Sequence, residues 1–235
     1  VTFSITGFDP QSGMMGVAVA TRYWAVGARV PYVRAGLAAI AVQAYYQPYI
    51  GFDTLRLMQS EGLSGPEALE HVLAADPGRE WRQVGLVDAA GNVVGFTGSE
   101  TAPWSGHRIG AHCVGAGNML AGPAVAEDMV ACFEQRSDLA LPERLVTALA
   151  AGHNAGGDRR GQQSAAVYVV WREEASYLDL RVDDHPDAIA ELMRLVNATA
   201  NDVLVRTSRF AGGRESPPVE EYFSHKQELK RQGLA

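Results

Sequence analysis

Residues 37–44 (LAAIAVQA) form an uninterrupted apolar run of strand length, and that run limits the folds open to this chain more than any other feature. A strand that faces water on one side alternates apolar and polar residues; a run with no alternation is a strand covered on both faces. Covering both faces of a sheet requires a further layer on each side, so the chain must be built in layers. A second apolar segment, residues 14–21 (MMGVAVAT), has the same character.

The order of the remaining segments narrows the layers further. Residues 2–8 are β-rich and residues 9–13 (DPQSG) carry turn chemistry, so 2–8 and 14–21 form a hairpin. A further strand is expected at 29–33. Helical spacing follows at 52–61, with Leu55 and Met58 on one side. Ser64 and Glu67 bracket a capping box, which starts a second helix that ends at Ala75, before the turn residues 76–78 (DPG). Strands are expected at 83–88, 93–97 and 112–116, then helices at 123–135 and 142–151, each with proline in its first turn. The glycine-rich stretch 153–161 reads as a loop, 164–171 and 177–182 as strands, and 187–201 as an amphipathic helix. Strand clusters separated by helix pairs are not βαβ alternation. The expectation is an α+β fold: two antiparallel sheets packed face to face with helices outside, over residues 1–210. From Ala211 the composition shifts to Gly, Pro and mixed charge, so 211–235 reads as a linker with a short solvated helix.

Composition enters chiefly through what it excludes. A net charge of −7 argues against broad nucleic-acid or anionic-membrane binding. Eighteen of the 20 basic residues are arginine, and the two lysines are Lys226 and Lys230. Schiff-base chemistry, a Walker A phosphate loop and a kinase-type lysine are therefore excluded from residues 1–225. Two cysteines, Cys113 and Cys132, make neither a disulfide framework nor a zinc site; they read as core filler in a reducing compartment. No run reaches the ~18 apolar residues of a membrane span, and the first residues lack signal-peptide character, so a cytoplasmic protein is expected. The six histidines show no metal-ligand spacing. Residues 115–120 (GAGNML) fail the dinucleotide fingerprint, and no GxSxG elbow occurs. No cofactor is expected.

One residue stands apart: Thr2, a hydroxyl at the start of a strand, one step from the first residue. If Val1 is the initiator position and is trimmed, Thr2 carries a free α-amine. Such an amine has a pKa of ~7.7–8.0 and can take the proton of the hydroxyl near neutrality, so one residue supplies nucleophile and base. The pattern alone is weak, because many chains begin with Met-Thr.

Ten segments give it context: 2–5 (TFSI), 16–20 (GVAVA), 27–31 (GARVP), 41–45 (AVQAY), 75–79 (ADPGR), 83–88 (QVGLVD), 96–98 (FTG), 117–123 (GNMLAGP), 156–166 (GGDRRGQQSAA) and 180–186 (LRVDDHP). Together, in order and over residues 2 to about 195, they resemble the family of unknown function DUF1028. That family is grouped with the N-terminal nucleophile (Ntn) hydrolases, which implies a four-layer αββα sandwich and an amide-bond hydrolase with Thr2 as nucleophile.

A fainter similarity to proteasome β subunits implies supporting roles. The lysine of that pattern is missing here; Arg34 is the nearest charged residue on the equivalent strand, with Arg22 as competitor. An arginine holds positive charge beside Thr2 but does not shuttle a proton. The backbone N–H of Gln43 or Ala44 is a candidate oxyanion donor, against a plain core glutamine. Asn118 is a second candidate donor, against an Asx turn. Asp158 resembles the aspartate that orients the amine, against an Asp–Arg loop pair, and Ser164 completes that network. Tyr45, Tyr46 and Tyr49 wall a substrate pocket or pack in a core or subunit contact. The expected partners are a small amide substrate and further copies of the chain, with neither nucleic acid nor membrane. The competing function is a catalytically silent binding or assembly module.

Overall fold

The computed structural model describes residues 2–201, together with Gln227, Glu228, Lys230, Arg231 and Gly233. The expected linker 211–235 lies outside the described residues apart from those five. The chain divides into two units, residues 1–193 and 194–235. The first holds ten strands and four complete helices: β1 (Thr2–Phe8), β2 (Met15–Thr21), β3 (Pro31–Arg34), β4 (Ala38–Ala44), α1 (Pro48–Glu61), α2 (Gly65–Ala75), β5 (Arg82–Asp88), β6 (Val93–Thr97), β7 (Gly106–Gly110), β8 (Cys113–Asn118), α3 (Ala124–Gln135), α4 (Leu141–Asn154), β9 (Ser164–Val170) and β10 (Leu178–Val182). Helix α5 (Ala188–Asn201) begins in the first unit.

Two antiparallel sheets result. One has the order β10-β9-β2-β1-β8-β7, the other β3-β4-β5-β6. β1 and β2 pack on β4, and β8 on β5, so the sheets lie face to face; α1 and α2 cover the outer face of the smaller sheet, and α3 and α4 that of the larger. The architecture is the expected four-layer αββα sandwich.

Side-chain alternation explains why residues 37–42 show no polar interruption. On β4, Ala39 and Ala41 enter the space between the sheets, beside Val17 and Val19 of β2, Val87 of β5 and Val114 of β8. Ala38, Ile40 and Val42 point the other way and pack with Ile50, Leu55, Met58, Leu69 and Leu73 of α1 and α2. Both faces are apolar because both are core. The larger sheet repeats the scheme. Met15, Val17 and Val19 face inward, whereas a Cβ at Gly7 on the helix-facing side of β1 would lie 2.6 Å from the Phe133 ring.

The capping box forms as expected: Ser64 Oγ takes the Glu67 N–H, and the Glu67 carboxylate takes the Ser64 N–H. Two expectations shift. α1 begins at Pro48, four residues before the expected start, with Gln47 as N-cap. β7 is absent from the expected elements, because its Gly-His-Arg-Ile-Gly sequence is polar and glycine-bounded. It is an edge strand whose three central residues are exposed, so it owes its state to pairing with β8.

Gly51 of α1 packs directly on the Tyr32 ring of β3. A Cβ there would sit 2.3 Å from Tyr32 Cγ. Alanine normally favours a helix over glycine by ~1 kcal/mol, but here the ring must move. We expect Gly51→Ala to destabilise the protein by ~1–3 kcal/mol, read as a lower urea midpoint.

Candidate functional site

At one end of the sandwich the apolar filling gives way to two facing rows of polar side chains. Thr2 pairs with Thr21 on one side and Asn118 on the other, and Thr21 pairs with Ser164. Directly opposed residues on neighbouring strands share a face, so Asn118, Thr2, Thr21 and Ser164 form one line across β8, β1, β2 and β9. The smaller sheet answers with Gln43, Gln83 and Thr97 across β4, β5 and β6. Asn118 Nδ2 donates to Gln83 Oε1 at 3.0 Å and joins the rows. Thr21, Asn118, Ser164, Gln43 and Gln83 are buried, and Thr2 is half-buried. Thr2 Oγ1 lies 3.2 Å from Thr21 Oγ1.

Gln83, which sequence reading left as an ordinary strand residue, is the hub. Its Nε2 lies 2.8 Å from the Gly117 carbonyl, 3.0 Å from the Gly106 carbonyl and 3.0 Å from Thr97 Oγ1; its Oε1 accepts from Gln43 Nε2 at 2.9 Å. Thr97 Oγ1 also lies 2.8 Å from His107 Nδ1. The signal for Gln83 was an amide at an inward position of an apolar strand, the same oddity that singled out Gln43. His107 sits on β7, so nothing in its segment marked it.

The loop of Asp158 caps the start of β1. Its carboxylate accepts from the Arg22 N–H at 3.1 Å, just past the end of β2, and Asp158 bridges Leu120, just past the end of β8. β1 lies between β2 and β8, so Asp158 stands in line with Thr2. Arg160 donates to the same carboxylate through its backbone N–H at 2.8 Å and its guanidinium at 3.3 Å. Ser164 Oγ accepts from the Val26 N–H and donates to the Tyr23 carbonyl, which fixes the loop after β2. Among the described residues, three of the four non-glycine residues with positive φ lie at this end: Ala44 (φ 71°) follows Gln43, Met119 (φ 52°) follows Asn118, and Ala25 (φ 48°) precedes Val26. Each such residue costs ~1–3 kcal/mol and persists only where its surroundings impose it, a pattern that concentrates at functional sites.

Exposed aromatics surround this end. Tyr23 and Trp24 follow β2, Tyr45 and Tyr46 follow β4, Tyr49 and Phe52 lie on α1, and Trp81 precedes β5. The tyrosines 45, 46 and 49 are thus on the surface. The Arg29 guanidinium lies 5.4 Å from the Tyr23 ring centre and 5.8 Å from that of Tyr46, within cation–π range. The Arg22 guanidinium bonds Gln163 Oε1 at 3.4 Å. Arg34 is not brought to this cluster. It pairs with Ala38, six residues along β4 from Ala44, or ~20 Å at the usual strand rise, and donates to Gln59 of α1.

Burial pushes the Cys113 thiol up to about 12, and Cys132 is also raised; both are free thiols with no thiolate character near neutrality. Among the described residues no three His, Cys, Asp or Glu side chains are grouped to hold a metal, and no helix is long and apolar enough to cross a membrane.

Comparison with known proteins places residues 2–192 on the model of a family of unknown function, DUF1028. Among solved structures, protein SPO2555 from Silicibacter pomeroyi, titled as a member of the same family, is 33% identical, with a TM-score of 0.80, over 88% of this chain and 90% of that one. Anbu, the ancestral beta-subunit from Yersinia bercovieri, aligns over 86% of this chain and 97% of its own at 12% identity and a TM-score of 0.36. No curated protein matches.

Two outcomes follow from the hub. Gln83→Leu removes the acceptor shared by the buried amides of Gln43 and Asn118, and at ~1–3 kcal/mol per unmet buried group the loss should reach at least about 2 kcal/mol in urea denaturation. His107 is exposed on one side, but its ring packs against Gly95, where a Cβ would lie 2.3 Å from it, and this one-sided desolvation holds its pKa below the usual value. A depressed imidazole favours the fold above its unfolded pKa of ~6.5, and that contribution disappears as pH falls. The urea midpoint should drop between pH 7.5 and pH 5.5, and drop less in His107→Asn.

Proposed function

The chain belongs to DUF1028, a family of unknown function, and on that footing we propose that it is an amidohydrolase whose nucleophile is Thr2, freed as the first residue of the mature protein. The observation that carries this reading is the position of Thr2. It is the half-buried hydroxyl in a row whose other members are buried, it is flanked on both sides by polar partners, and Asp158 lies beyond it.

The chemistry runs on the chain's own groups. The Thr2 α-amine takes the proton of Oγ1 as the oxygen attacks the substrate carbonyl, giving a tetrahedral oxyanion. Of the two backbone candidates the Gln43 N–H faces Gln83 within the β4–β5 ladder, which leaves the Ala44 N–H and the second amide hydrogen of Asn118 Nδ2 as the candidate donors to that oxygen. Collapse breaks the C–N bond, the leaving amine takes the proton from the ammonium, and the acyl group remains as an ester on Thr2. Water then attacks the ester, losing its proton to the amine, and Oγ1 is reprotonated as the acid departs. Asp158 fixes the end of β2 through the Arg22 N–H, and Arg22, next in the chain to the Thr21 that pairs with Thr2, is the candidate for a field at Thr2. Arg34 has no part in this reading. Ntn-type catalysis and assembly through the outer helices belong to the same proposal. The absence of lysine from residues 1–225 favours a second reading, a catalytically silent module of the same fold.

Intact mass of the protein expressed from its own gene should give a chain beginning at Thr2. A β-lactone, which acylates hydroxyl nucleophiles, should add once, with labelling lost in Thr2→Ala and kept in Thr2→Ser. The labelling rate should rise with pH through the α-amine pKa of ~7.7–8.0, because only the neutral amine accepts the proton. A mature chain in which Thr2 is still acylated by a preceding residue removes the catalytic reading and leaves the silent module.

A further inference from the structure

Gln83 decides which way the neighbouring amides point. Two of the groups around its Nε2, the carbonyls of Gly106 and Gly117, only accept, so that end is the NH2 and Oε1 is the acceptor. Gln43 and Asn118 both turn their NH2 groups to that one oxygen. The Gln43 oxygen is thereby turned away from Gln83. It is buried and has no hydrogen-bond partner among the described residues, in a residue 2% exposed. Flipping Gln43 gives no relief, because it would set oxygen against oxygen at 2.9 Å. The hydroxyls of Ser4 and Thr6, also buried and unpartnered, differ in kind: a hydroxyl rotates to suit its surroundings, whereas the Gln43 carbonyl is fixed.

Gln43 is at an inward position of β4, the strand that packs on β1 and β2, and at the end where those strands carry Thr2 and Thr21. The next residue, Ala44, has positive φ, and beyond it lie the exposed Tyr45 and Tyr46. A buried acceptor held within a polar cluster, two residues from exposed aromatics, is the feature a site uses to demand a donor from its ligand. When a ligand lacks that donor, the acceptor stays unpaired, and discrimination against it is strong.

We infer that Gln43 Oε1 is the acceptor for an N–H of the ligand, which makes this end of the sandwich selective for primary and secondary amides over esters and N,N-disubstituted amides. The inference rests on the reading of this end as the substrate site. It adds to Gln43 a specificity role carried by its side chain.

The test compares N-methylbenzamide with N,N-dimethylbenzamide, which share aryl group and carbonyl and differ in the single N–H. Each is titrated into the 15N-labelled full chain while the side-chain amide signals of Gln43 and Gln83 are followed. The secondary amide should bind at least about tenfold tighter and shift both signals. Gln43→Met, which leaves Asn118 on Gln83 Oε1, should remove the preference, with its urea midpoint confirming that the variant is folded. Equal affinity, no binding of either probe, or a preference that survives Gln43→Met overturns the inference. β-Lactone labelling of the wild type, run alongside, separates the two readings: an unlabelled Thr2 with an intact N–H preference removes the catalytic proposal and keeps this one.

Discussion

Packing two sheets face to face leaves a narrow space that side chains from both must fill, and here Val and Ala fill most of it, with Met15 and Phe8 at one end. Ala39, Ala41, Val17, Val19, Val87 and Val114 form that layer, and the outer helices repeat the demand on the other faces. The constraint determines what can happen at the end of the sandwich, because an inward position there is already committed to the buried space. Polar residues at that level must find partners across the gap, and Gln83 supplies them by joining both sheets through one amide.

A cluster of this kind is a poor way to gain stability. A hydrogen bond exchanged for one with water returns only ~0.5–1.5 kcal/mol net, while a single unmet group costs as much or more. Three left-handed non-glycine residues add strain at the same end. Polar rows, strained backbone and a half-buried hydroxyl coincide where the strands of both sheets stop and loops reach solvent.

Much of the site was legible from residue type. Gln43 stood out as an amide in an apolar strand, Asn118 and Asp158 lay in glycine-rich turns, and Thr2 began a strand; the fold brings these four to one end of the sandwich. Arg34 was chosen by its place along the chain, and the hairpin of β3 and β4 carries it to the other end of the smaller sheet, next to Gln59. His107 stayed invisible because β7 is a strand only by virtue of its pairing. Gln83 was in view, yet its importance depends on the two carbonyls that face it, and those come from β7 and β8.

The sequence by itself determined the layers. Apolar runs without alternation, a capping box and the alternation of strand clusters with helix pairs are local patterns, and local patterns set periodicity and burial. It also determined that no side chain within residues 1–225 offers a primary amine, since no lysine occurs there. Only the tertiary structure decided which polar residues share a row, which way each amide points, and that Arg34 lies far from that row. Those outcomes depend on strand register and on which sheet edge meets which, and both are fixed by contacts between residues far apart in the chain.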